Sequence, residues 1–170
     1  MPVMRLNHAV LYVRDAQRSA AFYEEVLGFV RLTELPRAVF MRAPGSTNDH
    51  DLGLFGVGDG AAPSGAGRGT VGLYHLAWEV DTLDELARLE QLMRERGALV
   101  GASDHGSTKA LYAQDPDGIE FEVSWLVPAE LLDADARAVR SEPLDLDHER
   151  ARYGGSTRGG VGVSIPVSSA

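Results

Sequence analysis

The sequence predicts an α+β fold in which two β-α-β-β-β modules form a curved sheet around a shared cleft. Three observations support this prediction. The order of strand and helix patterns in residues 1–58 recurs in residues 71–127, a Gly-, Ala-, Pro- and Ser-rich linker separates the two copies at residues 59–70, and one histidine stands at the same point of each copy. Strands are identified by alternating apolar residues and helices by apolar residues spaced three and four apart.

The first module, residues 1–58, begins with a strand that ends at Asp15, a residue type that commonly caps a helix. Gly28 supplies a C-terminal stop for the helix. Pro36 and the polar loop from Pro44 to His50 separate the strands that follow. The predicted elements are a strand at Arg5–Val13, a helix at Ala16–Leu27, and strands at Phe29–Glu34, Arg37–Arg42 and Asp51–Val57.

The second module, residues 71–127, repeats this order. Its helix carries an apolar stripe and ends at Gly97, and Asp115-Pro116-Asp117-Gly118 has the composition of a tight turn before the last strand. The predicted elements are a strand at Val71–Val80, a helix at about Leu83–Arg96, and strands at Leu99–Ala102, Lys109–Gln114 and Ile119–Leu126.

Residues 128–170 lie outside the repeat. An Ala- and Leu-rich stretch at Pro128–Arg140 predicts an added helix that starts at a proline. The acidic segment Pro143–Tyr153 can pack through Leu144, Leu146 and Tyr153. From Gly154 onward, the Gly-, Ser- and Val-rich composition predicts a flexible tail.

The composition excludes several classes of function. The 170 residues have a formal net charge of −9 with no basic run, so a nucleic-acid partner is not expected. There is no cysteine, which rules out disulfides, thiolate metal sites and a cysteine nucleophile. No signal pattern or membrane-spanning stretch is present, so we expect a cytoplasmic protein with no membrane partner.

The candidate chemistry lies on three of the predicted strands. His8 and His75 each stand inside an apolar run at equivalent points of the repeat, and Glu120 and Glu122 share one face of the last strand. A lone strand histidine is usually an ordinary core or surface residue, and a polar strand face usually lies in water at a sheet edge. Two histidines at equivalent points of the repeat, followed by a carboxylate strand, are harder to explain by these readings alone.

These motifs resemble the vicinal oxygen chelate superfamily, which includes glyoxalase I, fosfomycin-resistance proteins, bleomycin-binding proteins and type I extradiol dioxygenases. The resemblance spans about residues 4–126 and rests on NHAVLYVRD, FYEEVLGF, YHLAWEV, and DPDG followed four residues after its glycine by a glutamate. It implies a mostly antiparallel sheet around a metal cleft, with His8, His75 and Glu122 as the metal ligands. Glu120 is the second choice for the carboxylate ligand.

Within the superfamily, DHGSTKALYAQDPDG resembles small catechol 2,3-dioxygenase-like proteins. This resemblance implies an Fe(II) extradiol dioxygenase that cleaves a catecholic ring with O₂ in aromatic catabolism, in which His105 is an acid/base and Tyr112 donates a hydrogen bond to the substrate. Mn(II), Ni(II) or Zn(II) could replace iron. Ile119 and Glu120 depart from the polar pair usual after DPDG. Relatives often complete their sheets across subunits, so a homodimer is expected.

Two other functions remain open at this stage. A glyoxalase- or epimerase-like lyase or isomerase usually takes a fourth metal ligand, a glutamate, from the last strand of the first module. That strand reads DLGLFGVG, with Leu52 and Leu54 where such a residue is expected. A metal-free bleomycin-type binding protein generally lacks the His, His, Glu set. For His105 and Tyr112 the alternatives are a plain turn histidine and aromatic packing.

Overall fold

The computed structural model describes residues 2–3, 5–67 and 69–164. By their internal contacts the residues form two units. Unit 1 consists of Met1–Gly65 and Asp115–Ile119, and unit 2 consists of Ala66–Gln114 and Glu120–Ala170. Each unit contains one β-α-β-β-β module, so the repeat predicted from the sequence is confirmed.

Unit 1 has a four-stranded sheet with one helix. In the sheet order β1-β4-β3-β2, β1 and β4 are parallel and the other pairs are antiparallel. The carboxylate of Asp15 accepts hydrogen bonds from the backbone N–H groups of Gln17 and Arg18, and Gly28 ends the helix with a φ of 70°. The elements are β1 (Ala9–Val13), α1 (Ala16–Leu27), β2 (Val30–Leu35), β3 (Ala38–Arg42) and β4 (Leu52–Gly56).

The core of unit 1 lies between α1 and one face of this sheet. Tyr23 and Val26 of α1 are buried, as are Val39, Met41 and Leu54 of the strands. The opposite face of the sheet carries exposed apolar side chains, which include Val10, Tyr12 and Phe55. His8 directly precedes β1 and stands two residues before Val10, whose side chain lies on this exposed face.

Unit 2 has a five-stranded sheet in the order β5-β8-β7-β6-β9, in which β5 and β8 are parallel and the other pairs are antiparallel. Both sheets are therefore mostly antiparallel, as predicted. The elements are β5 (Leu76–Glu79), α2 (Leu83–Glu95), β6 (Leu99–Asp104), β7 (Thr108–Gln114), β8 (Glu120–Leu126), a 3₁₀ helix (Ala129–Leu131), β9 (Glu142–Pro143) and α3 (Leu146–Tyr153).

The predicted turn at residues 115–118 is confirmed. The N–H of Gly118 donates to the carbonyl of Asp115 at 3.0 Å, and Gly118 has a φ of 79°. The carboxylate of Asp117 accepts from the N–H of Arg14 at 2.8 Å and pairs with the guanidinium groups of Arg14 and Arg18 at 2.9 and 2.6 Å. These contacts fix the turn within unit 1.

The first strand of each module is shorter than the sequence predicted. β1 begins at Ala9 and β5 begins at Leu76, so His8 and His75 directly precede their strands instead of lying inside them. The reason is that each strand pairs only with the last strand of its module. Ala9 faces Leu52, the first residue of β4, and Leu76 faces Phe121 near the start of β8.

The prediction of a regular helix at Pro128–Arg140 is wrong. Only Ala129–Leu131 is helical there, as a 3₁₀ turn. The carboxylate of Asp133 accepts from the N–H of Ala136, which gives the backbone a local alternative to the helix, and Arg140 pairs with Asp104 of β6. The C-terminal helix is α3, in which Leu146 and Tyr153 are buried as expected.

The segment after α3 continues along unit 2 to the end of the described chain. The N–H of Gly159 donates to Asp81, and the hydroxyl of Ser164 donates to Leu126. Residues 165–170 of the predicted flexible tail lie outside the described residues. The flexibility of the tail stays a prediction.

Candidate active site

His75 and Glu122 form the centre of the candidate site in unit 2. His75 precedes β5, and Glu122 lies in the neighbouring strand β8, where it pairs with Ala77. The two side chains are 24% and 13% exposed, and the Nε2 of His75 lies 3.1 Å from the Oε2 of Glu122. Two of the three predicted metal ligands therefore come together within this unit.

Tyr112 lies beside this pair on β7, where it is the strand partner of Glu122. The ring centroids of Tyr112 and His75 are 5.7 Å apart. Burial, followed by the negative charge of Glu122, raises the pKa of Tyr112 to about 12. The phenol is therefore protonated at neutral pH and can donate a hydrogen bond.

His105 stands in the turn after β6 and contacts the hydroxyl of Tyr112. The N–H of His105 donates to the carbonyl of Thr108, which closes the turn. The ring nitrogen Nε2 lies 2.9 Å from the Tyr112 hydroxyl, and Nδ1 lies 2.9 Å from the carbonyl oxygen of Arg140. A continuous series of polar side chains thus runs from His105 through Tyr112 to Glu122 and His75.

Glu120, the second-choice ligand, lies two residues closer to the turn on the same face of β8. It pairs with Gln114, and its charge contributes to the raised pKa of Tyr112 after burial and the charge of Glu122. The contact with His75 is made by Glu122. The choice of Glu122 over Glu120 as a metal ligand stays a prediction.

His8, the third predicted ligand, lies in unit 1. Its side chain is exposed, and its Nδ1 lies 2.7 Å from the side-chain oxygen of Asn7. Its ring centroid lies 4.4 Å from that of His50, which also contacts the ring of Phe40. No role for His50 is predicted from the sequence. Only the parallel pairing of β1 with β4 could have indicated this neighbour, since it brings together the residues that precede the two strands.

Comparison with known proteins decides the family. Residues 5–123 match the profile of the Glyoxalase/Bleomycin resistance protein/Dioxygenase superfamily. The chain belongs to this superfamily. Superfamily members are mostly metalloenzymes and generally bind divalent ions.

The similar proteins within the superfamily have different activities by name. The chain is 31% identical over 118 residues to a catechol-2,3-dioxygenase of Bacillus subtilis, a match of 69% of this chain but 40% of that protein. It is 32% identical over 133 residues to biphenyl-2,3-diol 1,2-dioxygenase 3 of Rhodococcus globerulus, which covers 76% and 68% of the two chains. It is 33% identical over 132 residues to a lactoylglutathione lyase of Salmonella typhimurium, which covers 71% and 91%.

A solved superfamily structure supports the fold. The glyoxylase/bleomycin resistance protein/dioxygenase domain from Frankia sp. EAN1pec aligns with a TM-score of 0.58 at 24% identity, covering 72% of this chain and 92% of that one. Among the described residues, no helix is both long and apolar enough to cross a membrane. The cytoplasmic location and the homodimer stay predictions.

The pair of His75 and Glu122 fits a divalent ion of the kind that the superfamily binds. Two metal–ligand bonds of about 2.1 Å at a right angle separate the ligand atoms by about 3 Å, close to the 3.1 Å between Nε2 and Oε2. The Nδ1 of His75 is buried without a hydrogen-bond partner among the described residues, whereas metal-binding histidines usually donate from that nitrogen. The distance between the two ligand atoms therefore fits a divalent ion. The hydrogen-bond acceptor that usually faces the second nitrogen of a metal-binding histidine is not found among the described residues.

The set of three metal ligands is not complete in either unit taken by itself. Within each unit, the described residues contain no group of three His, Asp or Glu side chains that could hold a metal ion. The predicted set draws His8 from unit 1 and the other two ligands from unit 2. His8 as the third ligand stays a prediction.

The strand register also identifies the counterpart of Glu122 in unit 1. Glu122 pairs with the second residue after His75, and Gly53 pairs with Val10, the second residue after His8. Leu52 and Leu54, where the sequence analysis looked for a fourth ligand, are buried in the core. Gly53 therefore occupies the equivalent position and provides no carboxylate.

Proposed function

We propose that this chain is a metal-dependent extradiol dioxygenase that cleaves the ring of a catecholic substrate with O₂. The observation that carries the proposal is the 2.9 Å contact between His105 and Tyr112 on the strand next to the His75–Glu122 pair. A metal-binding pair beside a proton-transfer pair suits oxidation of a diol that must lose protons when it binds. Two relatives with dioxygenase names support the same reading.

The metal on this proposal is Fe(II), held by His75 and Glu122 with His8 as the third ligand. Two histidines and one carboxylate form the set typical of non-haem Fe(II) oxygenases. When bound, the metal would supply the Lewis-acid and one-electron chemistry that ring opening by O₂ requires. Mn(II) could supply similar chemistry, whereas Ni(II) or Zn(II) would suit the alternative described below.

His105 and Tyr112 act on protons. The phenol of Tyr112, with its pKa raised to about 12, stays protonated and donates a hydrogen bond to a substrate oxygen. The imidazole of His105 takes a hydroxyl proton from the catechol and returns a proton to oxygen as the ring opens. General acid–base catalysis of this kind contributes about 10²–10⁴-fold to a rate.

The test is ring cleavage by the metal-loaded protein. The chain is loaded with Fe(II) without oxygen, mixed with simple catechols and exposed to air, and a yellow ring-opened product is followed by absorbance. We expect His105→Asn and Tyr112→Phe each to lower kcat by more than about tenfold. Absence of product from every catechol tested, with Fe(II) bound at one ion per chain, would overturn the proposal.

A lyase or isomerase of the glyoxalase type is the second candidate, because the lactoylglutathione lyase of Salmonella typhimurium aligns over 91% of its length. In this reaction the metal stabilises an enediolate and a carboxylate moves the proton. The absence of a carboxylate at Gly53 argues against a four-ligand site. Conversion of a glutathione hemithioacetal by the Ni(II) or Zn(II) protein, with no ring cleavage by the Fe(II) protein, would favour it.

A metal-free binding protein is the third candidate. The contact between His75 and Glu122 argues against it, because such a protein has no need of a ligand pair at metal-binding distance. Equal affinity for a bleomycin-type ligand with and without metal, together with no catalysis, would support it.

A further inference from the structure

We propose that Arg140 is a positioning residue for His105: its main-chain carbonyl holds the imidazole in the Nδ1–H tautomer, and its guanidinium anchors that carbonyl to Asp104. The inference rests on the proposed function in so far as it assigns His105 a catalytic role. Arg140 lies beyond residue 123, where the match to the superfamily profile ends. The chain therefore supplies this device from its own C-terminal segment.

The tautomer follows from the two contacts of the His105 ring. A carbonyl oxygen can only accept a hydrogen bond, so the 2.9 Å contact with Arg140 places a proton on Nδ1. In the neutral ring Nε2 is then an acceptor, and the Tyr112 hydroxyl donates to it at 2.9 Å. The nitrogen that can take up a proton is therefore the one that faces Tyr112.

Both charge states of His105 satisfy these contacts. When Nε2 gains a proton, it donates to the Tyr112 oxygen, and the single hydroxyl proton of Tyr112 turns from Nε2 to the carboxylate of Glu122, which lies within hydrogen-bonding reach. Nδ1 continues to donate to Arg140 in both states. The ring can thus gain and lose a proton without moving, provided that the carbonyl stays in place.

The Arg140 side chain holds the carbonyl there. Its guanidinium lies 2.6 Å from the carboxylate of Asp104, the residue before His105, and also donates to the carbonyl of Asp135 at 2.8 Å. The side chain of Arg140 is only 15% exposed. Nε and Nη2 both contact Oδ2 of Asp104 while Nη1 contacts Asp135, so the guanidinium is held from two directions and fixes the position of the segment.

A buried ion cluster ties the same turn to α3. Lys109 is fully buried, and its ammonium lies 2.6 Å from Asp104 and 2.9 Å from Glu149 of α3. Asp104 and Glu149 balance the charges of Lys109 and Arg140, so no charge of the cluster is left uncompensated. Because leaving a buried charge unpaired is costly in free energy, this cluster opposes movement of the turn away from α3.

Close packing adds a second restraint. Gly106 has a φ of 84°, and a Cβ atom at this position would overlap the carbonyl oxygens of Ala136 and Ala138. The N–H of Gly106 donates to Asp104 at 2.8 Å. The turn that carries His105 and the segment that carries Arg140 therefore pack closely against each other.

The test measures the tautomer directly in the full-length, ¹⁵N-labelled, metal-free chain. Long-range NMR correlations between the ring nitrogens and the carbon-bound ring protons distinguish Nδ1–H from Nε2–H. The His105 signal is the one lost in His105→Gln, and spectra are recorded at a pH where the ring is neutral. We expect the wild-type ring in the Nδ1–H form, a mixture or the Nε2–H form in Arg140→Ala, and recovery of most of the wild-type pattern in Arg140→Lys.

Arg137→Ala is the matched control. Arg137 lies in the same segment, is exposed, and donates to the carbonyl of Leu132. We expect its tautomer pattern to equal that of the wild type. In the ring-cleavage assay Arg140→Ala is expected to lower kcat by about tenfold while KM changes less than about twofold.

The outcomes separate the two proposals. A wild-type ring in the Nε2–H form, or an unchanged tautomer in folded Arg140→Ala, would overturn the role of Arg140. If Arg140→Ala does not fold, the wild-type tautomer and the Arg140→Lys spectrum decide the question. Failure of the proposed function is read separately, as absence of ring cleavage by the iron-loaded wild type.

Discussion

The two modules share a scaffold and differ in chemistry. In each, a histidine directly precedes a first strand that pairs in parallel with the last strand. The position that faces the second residue after that histidine is Gly53 in unit 1 and Glu122 in unit 2. At this position unit 2 places a carboxylate against its histidine and unit 1 places a glycine, which teaches that the repeat supplies equivalent positions while single residues decide the chemistry of each copy.

The side chains that surround the two histidines also differ between the modules. His8 is exposed and lies beside Asn7 and the ring of His50. His75 lies beside a carboxylate and a phenol whose pKa is raised to about 12. The side chains to which the proposed function assigns proton transfer therefore lie in unit 2, whereas the proposed role of unit 1 is limited to His8 as a ligand.

The largest expected effect is in Glu122→Gln, which makes unit 2 resemble unit 1 by removing the charge beside His75. We expect bound metal to fall below one ion per chain and ring cleavage to fall by more than about 100-fold, since loss of an outer partner alone costs about 10–100-fold. Elemental analysis and the catechol assay measure both. In Glu120→Gln, the control on the same strand face, the metal content is expected to stay stoichiometric. Equal metal loss in the two variants would contradict the choice of Glu122.

The second effect concerns the buried ion cluster of unit 2. In Glu149→Gln, fully buried Lys109 loses one of the two carboxylates that contact it and keeps Asp104 and the ring of Tyr153. We expect the free energy of unfolding to fall by about 3 kcal/mol, because breaking one side of a buried pair is strongly destabilising. Urea denaturation measures this.

The matched control for the cluster is Asp147→Asn on the same helix. Asp147 is 96% exposed and lies 3.7 Å from Arg150. A change below about 0.5 kcal/mol is expected, as for most surface substitutions. Equal urea midpoints for Glu149→Gln and the wild type would mean that the cluster contributes no net stability.

The corresponding ion cluster of unit 1, Asp117 with Arg14 and Arg18, is more exposed at its cations. Burial raises the pKa of Asp117, but hydrogen bonds from Arg14 and the charge of Arg18 outweigh it, so the net pKa is lowered. Since the folded pKa lies below the unfolded value of about 3.9, this stabilisation is present above that pH and is lost as the pH falls through the folded pKa.

Asp117→Asn should therefore cost about 1–2 kcal/mol of unfolding free energy near neutral pH, with a difference from wild type that shrinks below about pH 4. Urea midpoints measured from pH 7 to pH 3 check both parts. Asp59→Asn is the control, because Asp59 is an exposed turn residue. A difference between Asp117→Asn and the wild type that grows as the pH falls would contradict the sign of the argument.

Much of this fold was readable from local pattern. Helix bounds at Ala16–Leu27 follow from an aspartate cap and a terminal glycine, and the turn at residues 115–118 follows from its Pro and Gly. The roles of His75 and Glu122 as metal ligands and of His105 and Tyr112 beside the substrate are what the family resemblance implies, and local spacing alone leaves each role open. Neither the contact of His75 with Glu122 nor that of His105 with Tyr112 was predicted.

What the sequence did not reveal depends on long-range pairing. The start of β1 at Ala9 is set by where β4 begins, and the neighbourhood of His50 with His8 follows from the same register. Arg140 was placed in a predicted helix, because no local signal marks an arginine that pairs with an aspartate 36 residues earlier. Its role at His105 became visible only with the tertiary structure.

The smallest effect tests whether the shared part of the scaffold is energetically equivalent in the two modules. Gly28 and Gly97 end α1 and α2 with φ values of 70° and 65°. A Cβ meets only ordinary contact at Gly28 and open space at Gly97. Alanine at either position costs about 1–2 kcal/mol for the left-handed backbone and regains about 0.4–1 kcal/mol from the unfolded chain.

We therefore expect Gly28→Ala and Gly97→Ala to lower the free energy of unfolding by about 1 kcal/mol each, as measured by urea denaturation. Gly45→Ala is the control, because Gly45 has no positive φ and no atom within 4 Å of the added Cβ. It should be neutral or slightly stabilising. If the losses of unfolding free energy at Gly28 and Gly97 differed by more than about 1 kcal/mol, the two helix ends would not be energetically equivalent. The difference between the modules would then include their backbone as well as their side chains.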